Sequence, residues 1–303
     1  MKDLLIKNNN NVNIPPIGFG TGLTFIFGRH PVKAGKKYVK DILYNRGKQF
    51  KKDICLYKVA KGAPKAGCFL FDTARAYKAS EKILGCALKK YDRNKIFVIT
   101  KLSNRDQREG DIKKAVKYSL EKLQMDYIDL YLMHWPQTDT YLESWIKMEQ
   151  IYKEGLARAI GVCNFHIHHF EDLMKVATIK PAVHEFECHP LYNQAEMVEY
   201  CRKRNIKMIA YTPTCRMDKR LIENALLQNL AKKYKKNTTQ IILRWHHQRG
   251  IIPIFNTSKM KHLKENMNIF DFNLELSEIE SINKLDVGYK YFPDPDHCDF
   301  KKL

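Results

Sequence analysis

An α/β fold built on a parallel sheet is what three features of this 303-residue chain predict. Short apolar runs recur at steps of mostly about 25 to 32 residues, the length of an ordinary βα repeat. Helical patterns separate them. The runs are apolar throughout instead of alternating, as strands buried on both faces are. In chain order the strands expected are Pro16 to Phe19, Phe69 to Thr73, Ile96 to Thr100, Ile128 to His134, Ala157 to Val162, Val183 to Glu187, Met208 to Tyr211 and Ile251 to Phe255, eight in all. Between them, Thr140 with Glu143, Asn193 with Glu196, and Ser277 with Glu280 have the spacing of a capping box and mark helix starts.

Three of the runs end in polar residues: CFLFDTARAY carries Asp72 and Tyr77, IFVIT leads into Lys101, and IDLYLMH ends at His134. In a parallel barrel all strands open their carboxyl ends on one face, so an acid, a phenol, an amine and an imidazole would meet there. Together they suit proton donation to a carbonyl. A tyrosine near its usual pKa of ~10 releases its proton reluctantly unless a cation favours the phenolate. Lys101 is that cation, Asp72 keeps the buried ammonium charged, and His134 can orient the substrate oxygen. None of the four attacks carbon, so the reducing equivalent must come from a hydride-donating cofactor. Taken singly, an Asp–Lys pair or a histidine beside Trp135 reads as ordinary core. As a set at three successive strand ends they read as catalytic.

With FDTARAY, TKL and HWP, the chain also carries EGLARAIGVCNF at 154 to 165, FECHP at 186 to 190, IAYTP at 209 to 213, LRW at 243 to 245 and a terminal LSEIESINKLD. In this order they resemble the aldo-keto reductases almost end to end. The resemblance implies a (β/α)8 TIM barrel, a single domain over residues 1–303, and nicotinamide-dependent reduction of an aldehyde or ketone to an alcohol with Tyr77 as general acid. It also implies the family's nucleotide site. Here Cys163, Asn164 and Glu185 stand where the family holds the nicotinamide carboxamide, Tyr211 stands where an aromatic stacks on the ring, and Thr212 follows it. Cys163 and Glu185 depart from the family's serine and glutamine. An ionised Glu185 accepts but cannot donate, and its charge favours the oxidised nicotinamide. In IFNTSKMKHLKEN, Asn256, Thr257 and His262 stand where a lysine, a hydroxyl and an arginine hold the 2′-phosphate, while Glu265 and Asn266 match the adenine side. Two fixed cations are lost, so NADPH is expected from family habit with NADH left open.

Family members often wall the substrate pocket with tryptophans, where this chain has Gly22 and Ser103; Trp135 remains. A Lys-rich insertion, about residues 22–66, separates the first two strands and starts on the active-site face, where it could cover the pocket. It accounts for half of the chain's net charge of +20. Lysine dominates and an Asn run lies at 8 to 11, so compositional bias explains the charge, and nucleic acid is not expected as a partner. Nor is a membrane, because no apolar stretch approaches the ~18 residues of a span. The N-terminus lacks a signal segment, and the eight cysteines show no CxxC or regular spacing, which together read as a cytoplasmic protein in a reducing compartment. HIHH at 166 to 169 has no second ligand pair at helical or CxxC spacing, so a solvated helix start is expected and no metal. A monomer acting on a small carbonyl is the first reading. The alternative is a nicotinamide-binding regulatory or interaction subunit with little turnover, which the changes at Cys163, Glu185, Asn256 and His262 keep open.

Overall fold

The computed structural model describes residues 4–6, 12–22 and 37–301. A short antiparallel pair, β1 (Leu4–Ile6) and β2 (Val12–Ile14), precedes the barrel strands β3 (Gly18–Gly20), β4 (Leu70–Asp72), β5 (Phe97–Leu102), β6 (Leu130–Met133), β7 (Ile160–Cys163), β8 (Val183–Glu187), β9 (Lys207–Tyr211) and β10 (Ile251–Phe255). The eight are parallel to their neighbours and close on themselves where β10 pairs with β3. This is a (β/α)8 TIM barrel. All eight expected strands form, two of them with the expected bounds and the rest with ends displaced by at most three residues. The first hairpin is an addition to the expected elements, because LLI and VNI are too short to stand out as strands.

Outside the barrel lie α1 (Lys37–Gly62), α2 (Ser80–Leu88), α3 (Asn104–Glu109), α4 (Ile112–Leu123), α5 (Tyr141–Lys153), α6 (Ile167–Val176), α7 (Ala195–Lys203), α8 (Lys219–Ile222), α9 (Ala225–Tyr234), α10 (Thr238–Gln248), α11 (Met260–Met267) and α12 (Leu276–Asn283). Much of the expected insertion is α1. Its Leu56, Val59 and Ala60, at helical spacing, are buried in the layer between barrel and helices. That half is the helix of the first βα unit. Residues 23–36, and with them the expected covering of the pocket, lie outside the described residues.

The three expected capping boxes do not form. Thr140 is an N-cap without a side-chain bond, Asn193 sits one residue ahead of the N-cap Gln194, and Ser277 lies inside α12, whose cap is Glu275 paired with Glu278. Reciprocal caps occur instead at His166 with His169, at Asn237 with Gln240, and at Glu275 with Glu278.

Period-2 alternation decides what the barrel encloses. Leu70, Phe97, Ile99, Leu130, Leu132, Val183, Ile209, Ile252 and Ile254 point inward and pack with Val12 and Ile14, which close the amino-terminal end. Phe71, Val98, Leu102, Tyr131, Met133, Ile160 and Val162 point outward under the helices. At Gly161 the barrel wall leaves no room, since an added Cβ would stand 2.4 Å from the Val183 carbonyl oxygen.

Candidate active site

The same alternation places the polar groups. Two residues beyond inward Leu70, Ile99 and Leu132 come Asp72, Lys101 and His134; two beyond Gly161, Val183 and Ile209 come Cys163, Glu185 and Tyr211. All stand at the carboxyl end of the barrel. Tyr77 arrives in the loop after β4, half-buried. Its ring meets His134 edge-on at 5.7 Å between centroids, and the Lys101 ammonium lies 5.7 Å from the centre of the phenol ring. The structure thus brings together all four residues of the expected catalytic group.

Lys101 is 1% exposed and Asp72 4%. Lys101 Nζ is in hydrogen-bonded ion-pair contact with Asp72 Oδ1, donates to the Thr73 carbonyl at 3.0 Å, and lies 3.3 Å from Glu185 Oε2. Burial alone would strip the ammonium of its proton, but Asp72 and then Glu185 outweigh it and hold Lys101 well above its ordinary value. One cation thus serves two carboxylates. Burial, and then the neighbouring Asp72 charge, push Glu185 up to about 8 against the pull of Lys101. Sequence reasoning misses this contact and sets Glu185 only against the nicotinamide. The inward parity of β5 and β8 is the signal that could have found it.

Tyr77 is also raised above its ordinary value, by burial first, with Lys101 pulling the other way. The cation acts in the expected direction without prevailing, so the phenol keeps its proton at neutral pH. His134 is brought down to about 3, by burial and then by Lys101, and is a neutral imidazole. It can orient or donate a hydrogen bond, but it brings no charge.

Asn164 and Tyr211 form a second chain along the rim. Asn164 Nδ2 donates to the His134 carbonyl at 2.9 Å, and its Oδ1 accepts from the Tyr211 hydroxyl at 2.6 Å. Cys163 Sγ is 4.0 Å from Glu185 Oε2, a weak contact. Thr212, next along, has a positive φ of 53°. At the end of β10, Asn256 Nδ2 donates to the Gly20 carbonyl at 2.9 Å, tying the two strands that close the barrel. Thr257 is buried and accepts from the Lys259 N–H at 3.1 Å. Asn266 is buried in α11, Glu265 is half-buried and His262 is exposed.

Two features at the rim go beyond the sequence reading. Gly22 backs the phenol: an added Cβ would stand 3.1 Å from Tyr77 Cε2. The C-terminal segment also crosses the rim, held by Glu187, whose carboxylate accepts from the Tyr291 and Phe292 N–H groups at 2.6 and 3.0 Å. Phe292 meets the Tyr211 ring edge-on, and Phe300 meets Trp135. A cavity of about 30 Å³ remains between Asn164, Tyr211, Lys290 and Phe292. A larger surface cleft of about 540 Å³ lies outside the barrel between Glu171, Met174 and Arg204, away from these groups.

Fold and rim define the class: a TIM barrel whose acid, ammonium, phenol and imidazole converge at the carboxyl ends of successive strands. The model of the Aldo/keto reductase family matches residues 45–287, and the chain belongs to that family. It is 39% identical over 241 residues to the glyoxal reductase of Bacillus subtilis (strain 168), covering 79% of this chain and 87% of the relative. To the methylglyoxal reductase DkgA of Escherichia coli O157:H7 it is 40% identical over 230 residues, 75% of this chain and 82% of that one. A solved aldo-keto reductase of Bombyx mori in complex with NADP superposes with a TM-score of 0.81 at 28% identity, covering 98% of this chain and 97% of the other. As a member of this family the chain is a carbonyl-reducing oxidoreductase.

Proposed function

We propose that the protein reduces a small aldehyde or ketone, of the size of glyoxal or methylglyoxal, to an alcohol with NADPH, and that Tyr77 is the proton donor. The observation that carries this is the stacking of roles at one point: a protonated phenol, half-buried, flanked by neutral His134 and lying above the buried Lys101 ammonium. The relatives' substrates are small dicarbonyls, and a Bombyx mori neighbour was solved with NADP.

The residues present fit a dinucleotide. Tyr211 offers a ring, Asn164 an amide and Thr257 a hydroxyl, and the buried Thr21 Oγ1 beside Asp72 has no hydrogen-bond partner among the described residues. A nicotinamide bound there would supply the hydride for the carbonyl carbon. The chain's own part is at the oxygen. His134, neutral, directs a ring N–H to the carbonyl oxygen and aligns it with the phenol. Tyr77 passes its proton to that oxygen as negative charge develops there. Lys101 stabilises the phenolate left behind, which is worth more in this buried setting than in water. Asp72 keeps Lys101 charged and in place. Glu185, protonated below about pH 8, has an O–H that a carboxylate lacks, and so regains one of the donors lost with the family's glutamine.

NADPH oxidation with methylglyoxal, followed in the wild-type protein and in Tyr77→Phe, tests the reading. The variant should lose about 10²- to 10⁴-fold in kcat, the usual contribution of a general acid, with NADPH binding by fluorescence quenching unchanged. Tight NADPH binding with no turnover by either protein would instead identify the nicotinamide-binding regulatory subunit. Equal turnover by both would remove Tyr77 from the mechanism.

A further inference from the structure

The histidine-rich start of α6 faces the C-terminal segment, and one carboxylate from that segment stands among its imidazoles. Asp296 Oδ2 is 2.7 Å from His166 Nδ1, while Asp296 Oδ1 is 3.1 Å from His168 Nε2 and 3.4 Å from His169 Nε2. One ligand atom from each of the four lies within 4.8 Å of every other. The local spacing of HIHH offers no partner ligand; the fold brings one from 130 residues away.

We propose that His166, His168 and Asp296 form a divalent metal site of the zinc class, with His169 holding the carboxylate from outside. Imidazole nitrogens with one carboxylate oxygen are a ligand set suited to zinc, and three protein ligands with water as a fourth is a common arrangement for it. The spacing of the ligand atoms is close to that of a filled site. Nitrogen and oxygen ligands at ~2.0–2.2 Å in tetrahedral array stand roughly 3.3 Å apart. The His168–Asp296 pair, at 3.1 Å to Oδ1, is within a few tenths of an ångström of it, while the His166–Asp296 pair, at 2.7 Å to Oδ2, would open by roughly 0.6 Å as the metal replaces the proton between them. His169 is committed differently. Its Nδ1 accepts the His166 backbone N–H at 3.0 Å, so the neutral ring carries its proton on Nε2, which faces Asp296. At 3.4 Å this contact is longer than a hydrogen bond, and a small approach of the ring would make it the outer bond that fixes a ligating carboxylate. Asp296 is presented by a turn in which its own N–H bonds to Asp294 Oδ1 at 2.9 Å. His168 is well exposed and His166 and Asp296 partly so, which leaves an ion a path in.

The site joins the loop after β7, which carries Asn164, to the segment that lays Phe292 on Tyr211 and Phe300 on Trp135. Metal would therefore fasten that segment across the rim. The inference concerns residues outside the proposed catalytic group and stands whether or not the carbonyl reading holds.

The test is titration of the chelator-treated full chain with zinc chloride by calorimetry, alongside Co²⁺ absorption in the visible. The expected result is one zinc per chain, a Co²⁺ band that zinc abolishes, and a rise in the thermal midpoint on zinc addition. His168→Ala and Asp296→Asn should each weaken zinc by at least about tenfold, the scale on which even outer partners of a metal site act. Failure to bind one equivalent would overturn the proposal. So would equal binding by wild type and the two variants, which would assign the metal to cysteine thiols or scattered surface histidines. The His168→Ala change is at an exposed side chain, so it keeps the comparison usable if Asp296→Asn disturbs the segment.

Discussion

Replacing Glu185 by Gln should flatten the pH dependence of stability between about pH 5 and 9. Glu185 is 1% exposed and shares Lys101 with Asp72. Two carboxylates cannot both ionise freely beside one ammonium in a dry site, and burial together with Asp72 pushes Glu185 from 4.5 to about 8. The sign follows from linkage. An acid whose folded value is raised leaves stability intact below its unfolded value, and removes it as the pH rises through the folded value. The loss therefore begins above pH 4.5 and is complete a little above pH 8. At about 1.4 kcal/mol per pH unit, a rise from 4.5 to about 8 corresponds to an upper bound of roughly 5 kcal/mol. A neutral glutamine cannot contribute it. Urea unfolding midpoints at pH 5, 7 and 9 give the measurement, with the wild-type midpoint falling steeply and that of the variant falling much less. Parallel curves for the two proteins would refute the argument. The same variant bears on the cofactor. Ionised Glu185 favours the cationic, oxidised nicotinamide, so the ratio of NADP⁺ to NADPH affinity should rise through pH 8 in the wild type and stay level in Glu185→Gln.

Further expectations concern the neighbours of Tyr77 and the segment above it. Because His134 is neutral down to about pH 3, kcat/KM should show no break near pH 6.5, and a break there that disappears in His134→Gln would contradict its assignment as an uncharged orienting group. Gly22→Ala places a methyl 3.1 Å from the phenol ring and should lower kcat by roughly tenfold through misplacement of the hydroxyl while leaving NADPH affinity unchanged; unaltered turnover would show that the loop yields instead. Glu187→Gln removes the charge that accepts two N–H groups of the C-terminal segment. It should raise KM for the carbonyl more than it lowers kcat, and speed protease cleavage near Phe292, whereas an unchanged cleavage rate would show that the aromatic contacts alone retain the segment.

The barrel is legible in the sequence because its strands are apolar on both faces, and the rim residues because they are the first polar groups beyond those runs. LFD, VITK and LMH carry that signal directly. What escapes is decided by distance in sequence or by competition. Glu185 meets Lys101 across the barrel, and Asp296 reaches α6 from the far end of the chain; neither pairing leaves a local trace. The capping boxes fail for another reason. Thr140–Glu143 and Ser277–Glu280 have the right spacing, but in α12 Glu275 and Glu278 take the cap two residues earlier, so spacing alone selects the wrong register. Gly22, a missing wall by comparison with the family, is clearance for the phenol.

The inward side chains of the strands, with Val12 and Ile14 beneath them, fill the barrel from its amino-terminal end up to the rim. Whatever reaches Tyr77 leaves over the lip it entered by, and Phe292 lies on that lip. Arrival and departure therefore share one passage: a bound nucleotide cannot be exchanged from below while a carbonyl waits above. The face at which a ligand can meet Tyr77 is thereby set by aliphatic side chains packed beneath the rim, far from any polar group of the site.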